Sequence, residues 1–212
     1  MNLLINLNFF FKNHKMNDSE IALALQPLIS LFNELGISYY ICGSIASSAY
    51  GTSRATQDID LVSDITELSV NILVDKLRSD YFIDGEMIRE AIELKSSFNL
   101  IHLKTMMKLD VFILRNDLFH KMTNKRKIED TLDKDENSIK IFLSSPEDVI
   151  LSKLDWYVKG NKASEQQWRD IIGVIKVQKN NLDLQYLKQW ATELKVDNLL
   201  SKAFFECGIE FL

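Results

Sequence analysis

The segment from Tyr39 to Val62, YYICGSIASSAYGTSRATQDIDLV, restricts the fold of this chain more than any other. The apolar run ISYYIC at 37–42 has the length and composition of a strand, SIASSAYG reads as a short helix ended by Gly51, and DIDLV at 58–62 is a second strand. Side chains at i and i+2 of a strand share a face, so Asp58 and Asp60 project together while Ile59 and Leu61 turn to the core. Side-by-side carboxylates repel, and their close approach is costly unless a cation neutralises them. Magnesium suits such a pair: it takes oxygen ligands in octahedral geometry at about 2.1 Å and keeps waters that phosphate oxygens can replace. The apolar neighbours Ile59, Leu61 and Val62 argue against a merely solubilising strand edge.

Gly43 and Ser44 supply a complementary half, because they lie where a strand turns into a helix. Gly43 allows close backbone approach to a phosphate, and Ser44 both caps the helix and offers a hydroxyl. The N–H groups of Ser44, Ile45 and Ala46 form an anion site. Arg54, between that helix and the DIDLV strand, carries a fork of donors matched to phosphate oxygens. The plainer readings stay open: Ser44 as a helix cap alone, and Arg54 as an exposed loop arginine.

The rest of the chain sets the class. With 46% apolar and 26% charged residues but only 7 Gly and 2 Pro, its 212 residues favour helices mixed with a modest sheet over a many-stranded sandwich. A helical face runs from Ile21 to Leu35 with Gly36 closing it, Thr66 and Glu67 open a helix to about Ser79, and GEMIREAIEL offers another. FNLIHLK at 98–104 and KLDVFIL at 108–114 are close enough to be antiparallel neighbours. The strand IKIFL ends at Ser145, Pro146 and Glu147, a helix start with Ser as cap, and only helical periods follow. The boundaries are an N-terminal extension at 1–15, an α/β domain at 16–145 and a helical C-terminal region at 146–212. The apolar run Leu3–Phe11 is too short to span a bilayer. Met16 reads as the natural start, with Asn17, Asp18 or Ser19 capping the first helix.

Cys42 and Cys207 read as reduced, buried thiols of a cytoplasmic protein with no membrane partner. The net charge of −5 gives no general attraction to nucleic acid. The basic run HKMTNKRK at 120–127 is a solvated helix end or loop before it is a substrate groove. Trp168, at helical spacing from Ile171 and Ile172, is a core residue before it is a stacking platform. His14, His102 and His120 show no spacing that assigns them a role.

Taken together, CGSIASSAYGTSRATQDIDLV is similar to the signature of the nucleotidyltransferase superfamily that shares the DNA polymerase β fold: an apolar strand, Gly-Ser, a helix-sized gap, then an Asp-apolar-Asp strand. The resemblance implies an α+β fold, a minimal nucleotidyltransferase core with a mixed sheet flanked by helices and an all-helical C-terminal part. It also implies a third carboxylate on a later strand. Asp110 in KLDVFIL stands where that acid is expected; the competing reading is an edge-strand charge. The stretch SPEDVILSKLDWYVKGNKASEQQWRDIIGVI resembles the helical region of small bacterial members related to the AbiEii toxin group, which pairs a lysine of one helix with an aspartate of the next. Lys153 and Asp170 match those positions, though Lys153 could also extend to solvent from its helix.

What the resemblance implies is metal-dependent transfer of NMP from an NTP, with Asp58, Asp60 and Asp110 holding magnesium, two ions in all, or manganese. Gly43, Ser44, Arg54, Lys153 and Asp170 would meet the nucleotide. The acceptor is a hydroxyl on a protein, on tRNA or another RNA, or on a small molecule, as in antibiotic-modifying relatives. A toxin–antitoxin or phage-defence setting would bring an antitoxin partner. The alternatives are a catalytically silent nucleotide-binding module and a kinase.

Overall fold

The computed structural model of the chain describes residues 17–131 and 139–210. The extension 1–15, the start at Met16 and the capping side chains of Asn17, Asp18 and Ser19 lie outside the described residues. Helix α1 (Asn17–Leu35) buries Ile21, Leu25, Leu28, Ile29 and Phe32, the stripe that its sequence period marks, and Gly36 closes it at φ 65°. Pro27 lies inside α1, where its ring removes a backbone donor. The Tyr81 hydroxyl enters the ladder at that turn, donating to the Ala24 carbonyl at 2.6 Å and accepting from the Leu28 N–H at 3.3 Å.

Seven strands then build one mixed sheet among the described residues. They are β1 (Tyr39–Ile41), β2 (Asp58–Ser63), β3 (Tyr81–Phe82), β4 (Ser97–His102), β5 (Lys108–Ile113), β6 (Ile128–Thr131) and β7 (Lys140–Leu143), in the order β3-β4-β5-β2-β1-β7-β6. β2 runs parallel to β5 and antiparallel to β1, while β4 and β5 pair antiparallel as their short separation predicts. Helices α2 (Gly43–Tyr50), α3 (Glu67–Leu77), α4 (Gly85–Leu94) and α5 (Leu118–Arg126) connect the strands. After β7 come α6 (Pro146–Lys159), α7 (Glu165–Gln178), α8 (Leu184–Glu193) and α9 (Asp197–Glu206). Ser145 caps α6 by accepting the Asp148 N–H, as its sequence predicts. The architecture is α+β, a mixed sheet flanked by helices.

Burial alternates along β2 and β5: Ile59, Leu61, Leu109 and Val111 are fully buried, while Asp58, Asp60, Lys108 and Asp110 occupy the opposite face. α6 and α7 pack on each other and on α2, so the helical tail closes over that polar face. The approach is close at the end of α2, where a Cβ on Gly51 would meet the Val174 nitrogen of α7 at 2.8 Å.

Several residues sit differently from what their sequence neighbourhood predicts. β5 lies inside the sheet, between β4 and β2, so Asp110 is no edge-strand charge. The basic run 120–127 is half internal. Arg126 lies 3.9 Å over the Tyr186 ring and 3.1 Å from Glu147, and Lys127 reaches Ser38 and the Phe142 ring. Cys42 and Cys207 are half-buried rather than buried, and desolvation pushes both thiols up. Finally, β3, β6 and α5 carry no sequence signal strong enough to call them. β3 is 2 residues long, and β6 (IEDT) and α5 (LFHKMTNKR) are largely polar.

Candidate active site

The in-register pairing of β2 with β5 sets the site's geometry. Asp60 lies opposite Asp110, Asp58 opposite Lys108 and Val62 opposite Phe112. Paired residues of neighbouring strands share a face, so the three carboxylates project to one side. A cavity of about 640 Å³ opens over them, walled by Gly43, Ser44, Arg54, Asp58, Asp60, Asp110, Lys153 and Asp170. All eight residues singled out from the sequence therefore meet in one concavity.

At the α2 end, Gly43 has φ +59° and a Cβ there would collide with the Asp60 carboxylate. Glycine is what lets the DxD strand approach the strand-to-helix turn. Ser44 is not the cap: Cys42 holds that position, and the Ser44 hydroxyl lies 2.9 Å from that of Thr56. Nor are all the N–H groups of the turn available to a phosphate. Ala46 donates to the Cys42 carbonyl at 3.3 Å, and the Ser44 N–H lies close enough to the Asp60 carboxylate to favour its charged form. Burial and then the neighbouring Asp110 raise the Asp60 carboxyl above its usual range, against the pull of Lys153 and the Ser44 N–H.

The tail contributes a buried cationic clamp. Asp170 of α7 accepts from Lys153 Nζ at 2.8 Å, from Arg54 Nε and Nη2 at 3.2 Å each, from Gln166 at 2.9 Å and from Ser47 at 3.4 Å. Burial would raise its carboxyl, but the hydrogen bonds of Arg54, Lys153 and Gln166 outweigh this and hold it below the usual range. Lys153 does not extend to solvent; its side chain is 10% exposed and anchored. Arg54 is likewise no free loop residue.

Sequence reasoning missed two features. Lys108 places its Nζ 2.8 Å from Asp110 Oδ2 and 3.7 Å from Asp58 Oδ1, and these contacts, that with Asp110 first, raise its ammonium above the usual range. The signal was present, since Lys108 sits two residues before Asp110 in a strand and must share its face. Trp156 of α6 lines the same cavity at 50% exposure, edge-on to Phe112 with centroids 6.0 Å apart. Trp168 instead joins the tail, its Nε1 donating to Glu206 at 2.9 Å and its ring beside Tyr157.

The residues fit a divalent ion. The donor set is hard carboxylate oxygen, suited to magnesium, and the missing Cβ of Gly43 leaves the Asp60 carboxylate its place. Among the described residues, no three carboxylate, thiol or imidazole groups already converge in metal-ligand geometry.

The fold, a mixed sheet flanked by helices, is similar to that of a solved nucleotidyltransferase-like protein. An antigenic nucleotidyltransferase-like protein from Paracoccidioides brasiliensis superposes with a TM-score of 0.53 at 20% identity, covering 92% of this chain and 95% of that one. Lincosamide antibiotic adenylyltransferase LnuA, lincomycin-bound, gives a TM-score of 0.44 at 16% identity over 73% of this chain and 96% of its own. The antibiotic-resistance factor ANT(2'')-Ia gives 0.49 at 13% identity over 90% and 94%. No family model and no curated protein matches the sequence.

Proposed function

We propose that the chain is a metal-dependent nucleotidyltransferase that moves NMP from a nucleoside triphosphate to a hydroxyl-bearing acceptor. The observation that carries this reading is the placement of Asp110 beside Asp60 in one cavity, opposite a glycine whose side chain would exclude that carboxylate. Asp58, Asp60 and Asp110 would hold the divalent ion, magnesium or manganese. When bound, it supplies charge neutralisation at the phosphates and lowers the pKa of the attacking hydroxyl.

The chain's own residues do the positioning. Lys153 presents an ammonium to the cavity in a fixed place because Asp170 anchors it, and Arg54 is held by the same carboxylate. Both favour triphosphate oxygens over water. The acceptor oxygen attacks the α-phosphorus in line, the bond to the β-bridging oxygen breaks, pyrophosphate leaves and the hydroxyl proton passes to solvent. Phe112 and Trp156 form an aromatic shelf one step along the strands from Asp110, suited to a planar ring.

The acceptor is a hydroxyl on a protein, an RNA or a small molecule; the net charge of −5 counts against a long RNA. The Lys153–Asp170 ion pair supports the likeness to the AbiEii toxin group, and with it a toxin–antitoxin component paired with an antitoxin. Asp60→Ala tests the site. It should abolish transfer of α-phosphate label with the circular dichroism spectrum retained, and a folded variant that still transfers label would remove Asp60 from the chemistry.

A further inference from the structure

Lys108 occupies a singular place on the carboxylate face. Strand register puts its Cα directly opposite that of Asp58, and alternation puts it on the same face as Asp110, two residues on. Both relations are fixed by the backbone, so both acids lie within reach of the Lys108 ammonium. Its Nζ is 2.8 Å from Asp110 Oδ2 and 3.7 Å from Asp58 Oδ1, an ion pair with each. It thus spans two of the three carboxylates that a pair of divalent ions would have to share.

We infer that Lys108 is a built-in counter-cation that takes the position of a second divalent ion, so that the chain binds one divalent ion per site. The inference rests on the nucleotidyltransferase reading and deepens it. The one ion would be held by Asp58, Asp60 and the other oxygen of Asp110, on the side where Gly43 leaves room for the Asp60 carboxylate. Asp110 Oδ2 is already neutralised by Lys108 at 2.8 Å. A divalent ion placed there would also face the ammonium at a few ångströms, where like charges repel strongly in a partly desolvated site. Lysine is suited to this role as a compact charge on a flexible stem. Its side chain is 43% exposed, so its removal leaves the core intact.

The test is the number of ions bound. Equilibrium dialysis of the full chain against manganese, with saturating α,β-methylene nucleoside triphosphates of each base, should retain one manganese per wild-type chain and two per Lys108→Met chain. Thermal unfolding should show both forms folded. Two ions on the wild type, or one on a folded Lys108→Met chain, would overturn the role of Lys108 while leaving the nucleotidyltransferase reading in place. No manganese on either form would remove that reading and this inference with it.

Discussion

Gly43 sits at φ +59°, a conformation that costs a residue with a side chain about 1–2 kcal/mol. Because its Cβ would also strike the Asp60 carboxylate, Gly43→Ala is expected to lower the melting temperature and to weaken manganese binding more than tenfold, read by thermal unfolding and titration. Trp156→Ala acts differently. The ring is half-exposed, so folding stability should change by no more than about 1 kcal/mol. KM for the triphosphate should rise about tenfold, within the roughly 1–3 kcal/mol that a stacked base is worth. Steady-state kinetics giving an unchanged KM would take the base off this shelf. Gly43, Asp58 and Asp60 were legible because strand alternation and turn chemistry are local. The alternation that places Asp110 also places Lys108 on its face, but its pairing with Asp58 and the position of Trp156 depend on register and crossing between β2, β5 and α6, which one segment does not encode.

At the scale of elements, α6 and α7 are held to the α2–β2 connection by one buried carboxylate. Asp170→Ala leaves Lys153 and Arg54 without their shared partner and should destabilise the protein by about 3–5 kcal/mol in urea unfolding at neutral pH. The pH dependence has a definite sign. Asp170 is held below its unfolded value, so its contribution is complete above about pH 4 and is lost as pH falls through the lower folded value. A melting temperature of the wild type that rises relative to Asp170→Ala below pH 4 would contradict this. The α6 start was legible from Ser145, Pro146 and Glu147, each matched to a helix N-terminus. The Lys153–Asp170 pair came only from family likeness, since the two residues lie on separate helices. β6 escaped notice because a four-residue IEDT strand has no apolar alternation to show; its pairing with β7 creates it.

For the molecule as a whole, the cavity belongs neither to the sheet nor to the tail. Its floor is β2 and β5, one wall is the α2 turn, and the other is α6 with α7. The near-complete overlap with the Paracoccidioides brasiliensis protein, 92% of this chain, includes the tail in the shared fold. The reaction proposed for this cavity is transfer of the α-phosphoryl group of a nucleotide. The direct measurement is incubation of the full chain with magnesium and α- or γ-labelled nucleoside triphosphates in host lysate, with protein, RNA and small molecules resolved separately. Label from the α-position should appear in one acceptor fraction, with pyrophosphate released and nothing transferred from the γ-position. Transfer of γ-label instead would make the protein a kinase, and magnesium-dependent triphosphate binding with no label in any fraction would make it a silent nucleotide-binding module.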